Sequence, residues 1–206
     1  MNNQNFYISH ITPALKQRMT GKSYKSDCRL PWDELRYIHC LHVDLDGLTH
    51  EGEMVVNHHI ADSVLNILRQ LYEARYPIER MRLIDDYGAD DDLSMEDNNS
   101  SAFNYRLIAH TDKISKHGLG LAVDINPLYN PYVKTVEGSL YVAPAGGKAY
   151  IDRQNSFPYK ITGNDLCCQL FRSAGFQWGG DWIEKKDYQH FEIGTEQIAQ
   201  WYPQFE

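Results

Sequence analysis

The sequence predicts an α+β fold. Apolar residues alternate as in strands in some stretches and recur every three or four residues in others. The two kinds of segment are mixed without the regular strand–helix–strand rhythm of a parallel sheet. A chain of 206 residues with 42% hydrophobic and 23% charged residues has an ordinary globular composition, which excludes a disordered, collagen-like or coiled-coil chain. At roughly 150 residues per domain, one domain is expected. It can bury about 70% of the surface its unfolded chain exposes, with no disulfide or metal staple.

Residues 35–43 suit a strand, Asp46-Gly47 signals a turn, and a second short strand is expected around 53–56. From Asn57 to Ala74, the positions Ile60, Val64, Ile67, Leu68 and Leu71 form one stripe of an amphipathic helix, capped by Asn57 and stopped by Pro77. Met81 to Tyr87 reads as a strand. Gly88 to Asn104, rich in Asp, Asn and Ser, reads as an exposed loop whose Asp90-Asp91-Asp92 run is solvated charge rather than a calcium site. Strands are expected over 103–108 and around 121–125, and a long surface excursion over 137–159. Thr162 with Asp165 resembles a capping box opening a helix that Gly175 ends. A last strand, 188–193, precedes a short helix that Thr195 would cap.

Twenty Lys and Arg against 28 Asp and Glu give a net charge of −8, which argues against binding nucleic acid through its phosphates. No window approaches the ~18 uninterrupted apolar residues of a membrane span, and a monomer is expected. The 14 Tyr, 7 Phe and 4 Trp suit either a ring-paved groove or a well-filled core. Cys167 and Cys168 read as buried thiols, Cys28 and Cys40 could pair in an exported protein, and no Cys-x-x-Cys spacing occurs. The amino terminus lacks the basic start and apolar core of a signal peptide. A cytoplasmic chain and one whose leader was removed both fit.

The chemistry concentrates in Ser115-Lys116-His117-Gly118-Leu119-Gly120-Leu121-Ala122-Val123-Asp124-Ile125-Asn126-Pro127. With period two, Leu121, Val123 and Ile125 turn to the core while Gly120, Ala122, Asp124 and Asn126 face the other way. A carboxylate over Gly and Ala, with a His a few residues earlier, suits a metal-ligand pair. It equally suits an Asp that accepts backbone bonds in a turn before Pro127. In Asp187-Tyr188-Gln189-His190-Phe191-Glu192-Ile193, Phe191 and Ile193 form the apolar face, His190 and Glu192 the other, and Asp187 is expected at the turn entering the strand. Two His and one Asp facing away from the core make a zinc site with an open fourth position. Zinc chemistry then needs a carboxylate as general base, and Asp187 has the right chemistry and proximity. Glu192 would either bond a ligand imidazole or lie on the surface.

These two segments resemble the bacterial zinc D-alanyl-D-alanine carboxypeptidase and L-alanyl-D-glutamate endopeptidase family. Its pattern, Ser-x-His-x-x-Gly-x-Ala-x-Asp followed downstream by an acid three residues before a His, is met by Ser115, His117, Gly120, Ala122, Asp124, Asp187 and His190. Asn104-Tyr105-Arg106 is similar to the family's Tyr-Arg strand. The resemblance runs from about Gly52 to Ile193. It implies a Hedgehog/DD-peptidase-like fold: a small, mostly antiparallel sheet with flanking helices and a zinc site on the sheet. The whole chain, 1–206, is then a single zinc peptidase domain with residues 1–51 as an extension packed on the motif-bearing core. It further implies His117, Asp124 and His190 as zinc ligands, Asp187 as general base, Arg106 stabilising the oxyanion, and Ser115 holding substrate or serving as a turn hydroxyl.

The expected activity is hydrolysis of peptidoglycan stem peptides, by D-alanyl-D-alanine carboxypeptidase action or by L-alanyl-D-glutamate endopeptidase action. The site of action is then the periplasm or cell envelope. The family's well-known dipeptidases and many of its carboxypeptidases carry Glu where this chain has Asp187, which is one methylene shorter and leaves the scissile bond open. A non-catalytic zinc-containing binding module and a cytoplasmic dipeptidase are the competing classes. No second cation for a substrate carboxylate can be assigned from sequence. His58-His59, at a helix start, suggests solvent or capping roles, and His39-x-x-His42 falls on opposite strand faces.

Overall fold

The computed structural model describes residues 5–108 and 111–205; the first four residues of the amino-terminal stretch compared with a signal peptide lie outside them. The chain opens with β1 (Tyr7–His10), α1 (Pro13–Met19), β2 (Leu35–Val43), β3 (Thr49–Asn57) and α2 (His58–Glu73). There follow α3 (Asp91–Glu96), β4 (Ala122–Asp124), β5 (Tyr132–Val136), β6 (Ser139–Ala143), α4 (Leu166–Ser173), β7 (Phe176–Trp178), β8 (Lys185–Asp187), β9 (His190–Ile193) and α5 (Thr195–Trp201). The class is α+β, as expected: three small antiparallel sheets with flanking helices.

The first sheet, ordered β1–β2–β3, is built by the long β2–β3 hairpin around the Asp46-Gly47 turn, with Leu35 opposite Asn57 and Val43 opposite Thr49. Helix α2 buries Ile60, Val64, Ile67, Leu68 and Leu71, the stripe read from its periodicity. The side chain of Asn57 caps it, Oδ1 accepting from the His59 amide at 3.0 Å. The second sheet, ordered β4–β9–β7, pairs Asp124 with His190 and Ala122 with Glu192. Phe171 of α4 stacks on Phe191 at 4.2 Å behind it. The third sheet runs β6–β5–β8. One apolar core joins residues from Phe6 to Tyr202, so the first fifty residues share it with the motif segments. No helix among the described residues is long and apolar enough to cross a membrane.

Several expected boundaries move. Met81–Tyr87 is no strand: a 3₁₀ turn covers Ile84–Tyr87, and Arg82 bonds through its amide and carbonyl to the side chain of Asn99 rather than to a neighbouring strand. The expected loop from Gly88 contains α3, capped by Asp90, and buries Ser94, Asn98, Asn99 and Ser100. No strand forms over 103–108, because the Phe103 and Tyr105 amides bond to different segments, at Val55 and Ser23. The expected surface excursion begins with the turn and second strand of the β5–β6 hairpin, whose Glu137-Gly138 turn has φ of 50° and 77° at its two centres, as a twisted hairpin requires. Strands β8 and β9 replace the single strand over 188–193. Asp165 caps α4 alone, and Gly194, not Thr195, caps α5, with no side-chain bond. On the polar face of β4, Ala122 and Asn126 are buried, and along the strand edge Asp124 exchanges backbone bonds with Ser101. Cys28 and Cys40 are both free thiols, as are the buried Cys167 and Cys168.

Candidate metal centre and active site

Strand register brings Asp124 beside His190 on one face of the β4–β9 pair, where the Asp124 carboxylate meets His190 Nδ1 at 2.9 Å. His117 comes from the tight turn before β4. Ser115 Oγ accepts from the Gly118 amide at 3.0 Å, and the Gly120 amide donates to the His117 carbonyl at 3.0 Å. Gly120 has φ of 67°, and a Cβ there would lie 2.7 Å from the Asn57 nitrogen, which donates to the Gly120 carbonyl at 2.8 Å. Only glycine meets both demands, so the motif's glycine locks the ligand-bearing turn onto the start of α2.

His117, Asp124 and His190 each offer one donor atom, all within 4.8 Å of one another. His117 Nε2 lies 3.2 Å from His190 Nδ1 and 3.3 Å from Asp124 Oδ2. The outer nitrogens are already engaged: His117 Nδ1 with the Ala102 carbonyl at 2.7 Å and His190 Nε2 with Glu192 at 2.9 Å. Each outer partner is an acceptor, so a cation that displaces the inner ring protons would find a lone pair of each imidazole turned inward. Two lone pairs and a carboxylate then face one point with no donor among them, a set that fits a divalent cation such as zinc. Lys116 Nζ steadies Glu192 at 2.8 Å.

The local field is strongly negative. Burial opposes charge on His190, but its bonds to Asp124 and Glu192 outweigh this and lift the imidazole to about 10. Burial also acts against the Asp124 carboxylate, yet His117 and His190 hold it far below the usual carboxylate range. Asp187, at the end of β8, behaves differently. Burial pushes its carboxyl up to about 7, with His190 pulling it down and Asp124 pushing it up. Its Oδ1 is buried without a hydrogen-bond partner among the described residues, as are Asn104 Oδ1 and Gln189 Oε1. Gly179 permits this placement, since a Cβ there would lie 2.6 Å from the Asp187 carbonyl.

Arg106 is held at 2.9 Å by Asp91, whose other oxygen accepts from Asn104 at 2.8 Å. Only Nη1 of Arg106 bonds among the described residues. The Asp90–Asp92 run is therefore partly engaged: Asp90 caps α3 and Asp91 ties down this arginine. Sequence reading missed Trp182, whose ring lies 5.5 Å from that of His190, and Lys185, whose ammonium sits 4.6 Å over Trp182 and 5.9 Å from the Tyr132 ring. Lys185 has no carboxylate within 4.0 Å among the described residues and acts on Asp187 electrostatically. Neither residue belongs to a spacing that marks it; the β5–β8 pairing places Lys185, and the 3₁₀ turn Gly179–Asp181 leads into Trp182. His42 is buried against the Ile78 carbonyl at 2.7 Å and His39 points elsewhere, so that pair chelates nothing.

Residues 109–193 match the family model described as D-alanyl-D-alanine carboxypeptidase. The match supports the zinc D-alanyl-D-alanine carboxypeptidase family. The matched stretch holds Ser115, His117, Asp124, Asp187 and His190, and Arg106 lies just before it. No curated protein and no solved structure is a significant match. The match supports a peptidase, and the His–Asp–His cluster lies inside the matched stretch.

Proposed function

We propose that this chain is a zinc metallopeptidase that trims peptidoglycan stem peptides as a D-alanyl-D-alanine carboxypeptidase. The observation that carries the reading is the convergence of two imidazole lone pairs and a carboxylate beside a buried, unpartnered carboxyl oxygen. Zinc held by His117, Asp124 and His190 would polarise the scissile carbonyl and lower the pKa of a water to about 7. Asp187, raised to a value that lets it accept and return a proton near neutrality, takes the proton of the attacking water and delivers it to the leaving amine. Arg106, with Nη2 and Nε free of bonds among the described residues, stabilises the oxygen that gains charge. Ser115 orients the His117 turn through the Gly118 amide. Lys185, bracketed by Trp182 and Tyr132, receives a substrate carboxylate. Such chemistry suits the cell envelope.

L-Alanyl-D-glutamate endopeptidase action is the second reading. Asp187 favours it, because branches of the family with Asp at this position include phage-type endopeptidases. Zinc-loaded protein incubated with muropeptides and followed by mass spectrometry tests both. Loss of one alanine supports the carboxypeptidase, and release of a peptide beginning with D-glutamate supports the endopeptidase. No cleavage by a protein that binds zinc points to the binding module. Asp187→Ala is expected to keep zinc and lose cleavage; full activity in that variant removes the proposed base.

A further inference from the structure

A second group of metal donors lies away from this centre. Glu34, in the 3₁₀ turn Trp32–Glu34, and His58 and His59, the first residues of α2, each place one donor atom within 4.8 Å of the others. His58 Nε2 is 3.1 Å from Glu34 Oε2, and the two imidazole centroids are 4.0 Å apart. Consecutive helical residues normally diverge by about 100° around the axis, so two neighbouring rings this close require outside support.

That support comes from the carboxy-terminal segment. Trp201 stacks on His59 at 4.2 Å with an interplanar angle of 4°. The Tyr202 hydroxyl bonds to Glu34 and accepts from the buried Asn57 amide at 2.8 Å. Asn57 in turn donates to the Leu119 carbonyl at 3.0 Å. Thus each of two donors, His59 and Glu34, is held by a separate aromatic side chain, and the Glu34 support reaches the core. Outer groups that orient ligands in this way are what metal sites use, and neither solvation nor capping calls for them. The cap of α2 is already made by Asn57.

We infer that Glu34, His58 and His59 form a second divalent-metal site, for zinc or a cation of similar borderline softness, that fastens the 3₁₀ turn to the start of α2. Two imidazoles and a carboxylate are a zinc-type donor set. The site is partly exposed, so water completes the coordination. Its role is structural, because among the described residues no buried, unpartnered acid stands beside it.

Metal content measured after chelator stripping and dialysis against buffered micromolar zinc tests this without reference to peptidase activity. Wild type is expected to hold about two zinc ions per chain, and His58→Ala/His59→Ala about one. His117→Ala, which removes a ligand of the other centre, is expected to hold about one as well. Added zinc should raise the melting temperature of His117→Ala, and the rise should vanish when Glu34→Gln is added. Circular dichroism confirms that each variant folds. The site is overturned if the double histidine variant keeps the wild-type stoichiometry, or if wild type holds a single ion that His117→Ala alone removes. A single ion that the double histidine variant removes and His117→Ala leaves in place keeps this site and sinks the other, so the two readings fail separately.

Discussion

The sheet of β1–β3 with α2 and the loops that carry the site, residues 98–108 and 111–130, are ordered by different means. In the first, apolar side chains at helical and strand spacing do the work: Ile38, Val56, Val64 and Leu68 are all buried. In the second, buried asparagines take the place of sheet ladders. Asn99 bonds both backbone groups of Arg82, and Asn98 joins the Glu79 carboxylate to the Leu128 amide. Asn126 holds the Pro77 carbonyl and the Glu79 amide, and Asn130 holds the carbonyls of Asn126 and Tyr159. Non-directional burial stabilises a layer but tolerates small shifts. A fully bonded amide fixes a loop at one place, which is what a three-donor centre needs.

If chemistry and stability are divided in this way, substitutions should separate them. Asp187→Asn is expected to lower kcat/KM by about 10²–10⁴-fold while zinc content and melting temperature stay near wild type. In wild type, the base acts unprotonated, so kcat/KM should climb as pH rises towards about 7 and then level off. A bound cation moves that limb to lower pH. A flat profile in wild type, or an unchanged limb in Asp187→Asn, removes the assignment. Leu68→Ala should do the reverse, costing about 2–5 kcal/mol in denaturant titration with kcat unchanged. Asn126→Ala is the decisive intermediate. Leaving the Glu79 amide and Pro77 carbonyl unbonded should cost about 1–3 kcal/mol per group, and it should also weaken zinc binding. If zinc affinity is untouched, the asparagine scaffold is merely structural.

Smaller effects sharpen the same contrast. Lys185→Met should raise KM several-fold for peptides with a free terminal carboxylate and leave their amides unaffected, as steady-state kinetics would show. A uniform change across both removes Lys185 from recognition. His42 lies in the apolar layer, where burial lowers its pKa below 6.5, the Ile78 bond and Asp44 opposing and His50 reinforcing. The unfolded chain therefore binds the extra proton first as pH drops, and stability should fall below about 6.5. His42→Gln should flatten that part of a melting-temperature profile.

The contrast also explains what was legible. Period-two and three-or-four spacing exposed β2, α2 and the apolar faces around Phe191, because burial there follows one residue after another. The motif segment exposed His117, Asp124, Asp187 and His190, and the structure brings the first, second and last of these together. The strands expected over 81–87 and 103–108 do not form, because groups distant in sequence satisfy their backbone, the Asn99 side chain for Arg82 and the carbonyls of Val55 and Ser23 for Phe103 and Tyr105, and no local pattern records such partners. For the same reason Gly88–Asn104 read as solvent-exposed although it contributes buried asparagines. Lys185 reaches the site through the pairing of β5 with β8, and Trp182 from the end of the 3₁₀ turn that precedes β8. Ser115, left open between substrate and turn, makes the turn bond.

The hydrogen bond from Asn57 to Gly120 sets the size of the smallest transferable unit. The stretch that matches the carboxypeptidase family starts at residue 109, yet its ligand turn closes against the backbone of Val56 and Asn57 and the side chain of Leu35. Grafting residues 109–193 onto another scaffold would carry the donors without the anvil that shapes them. A working transplant has to begin no later than β2.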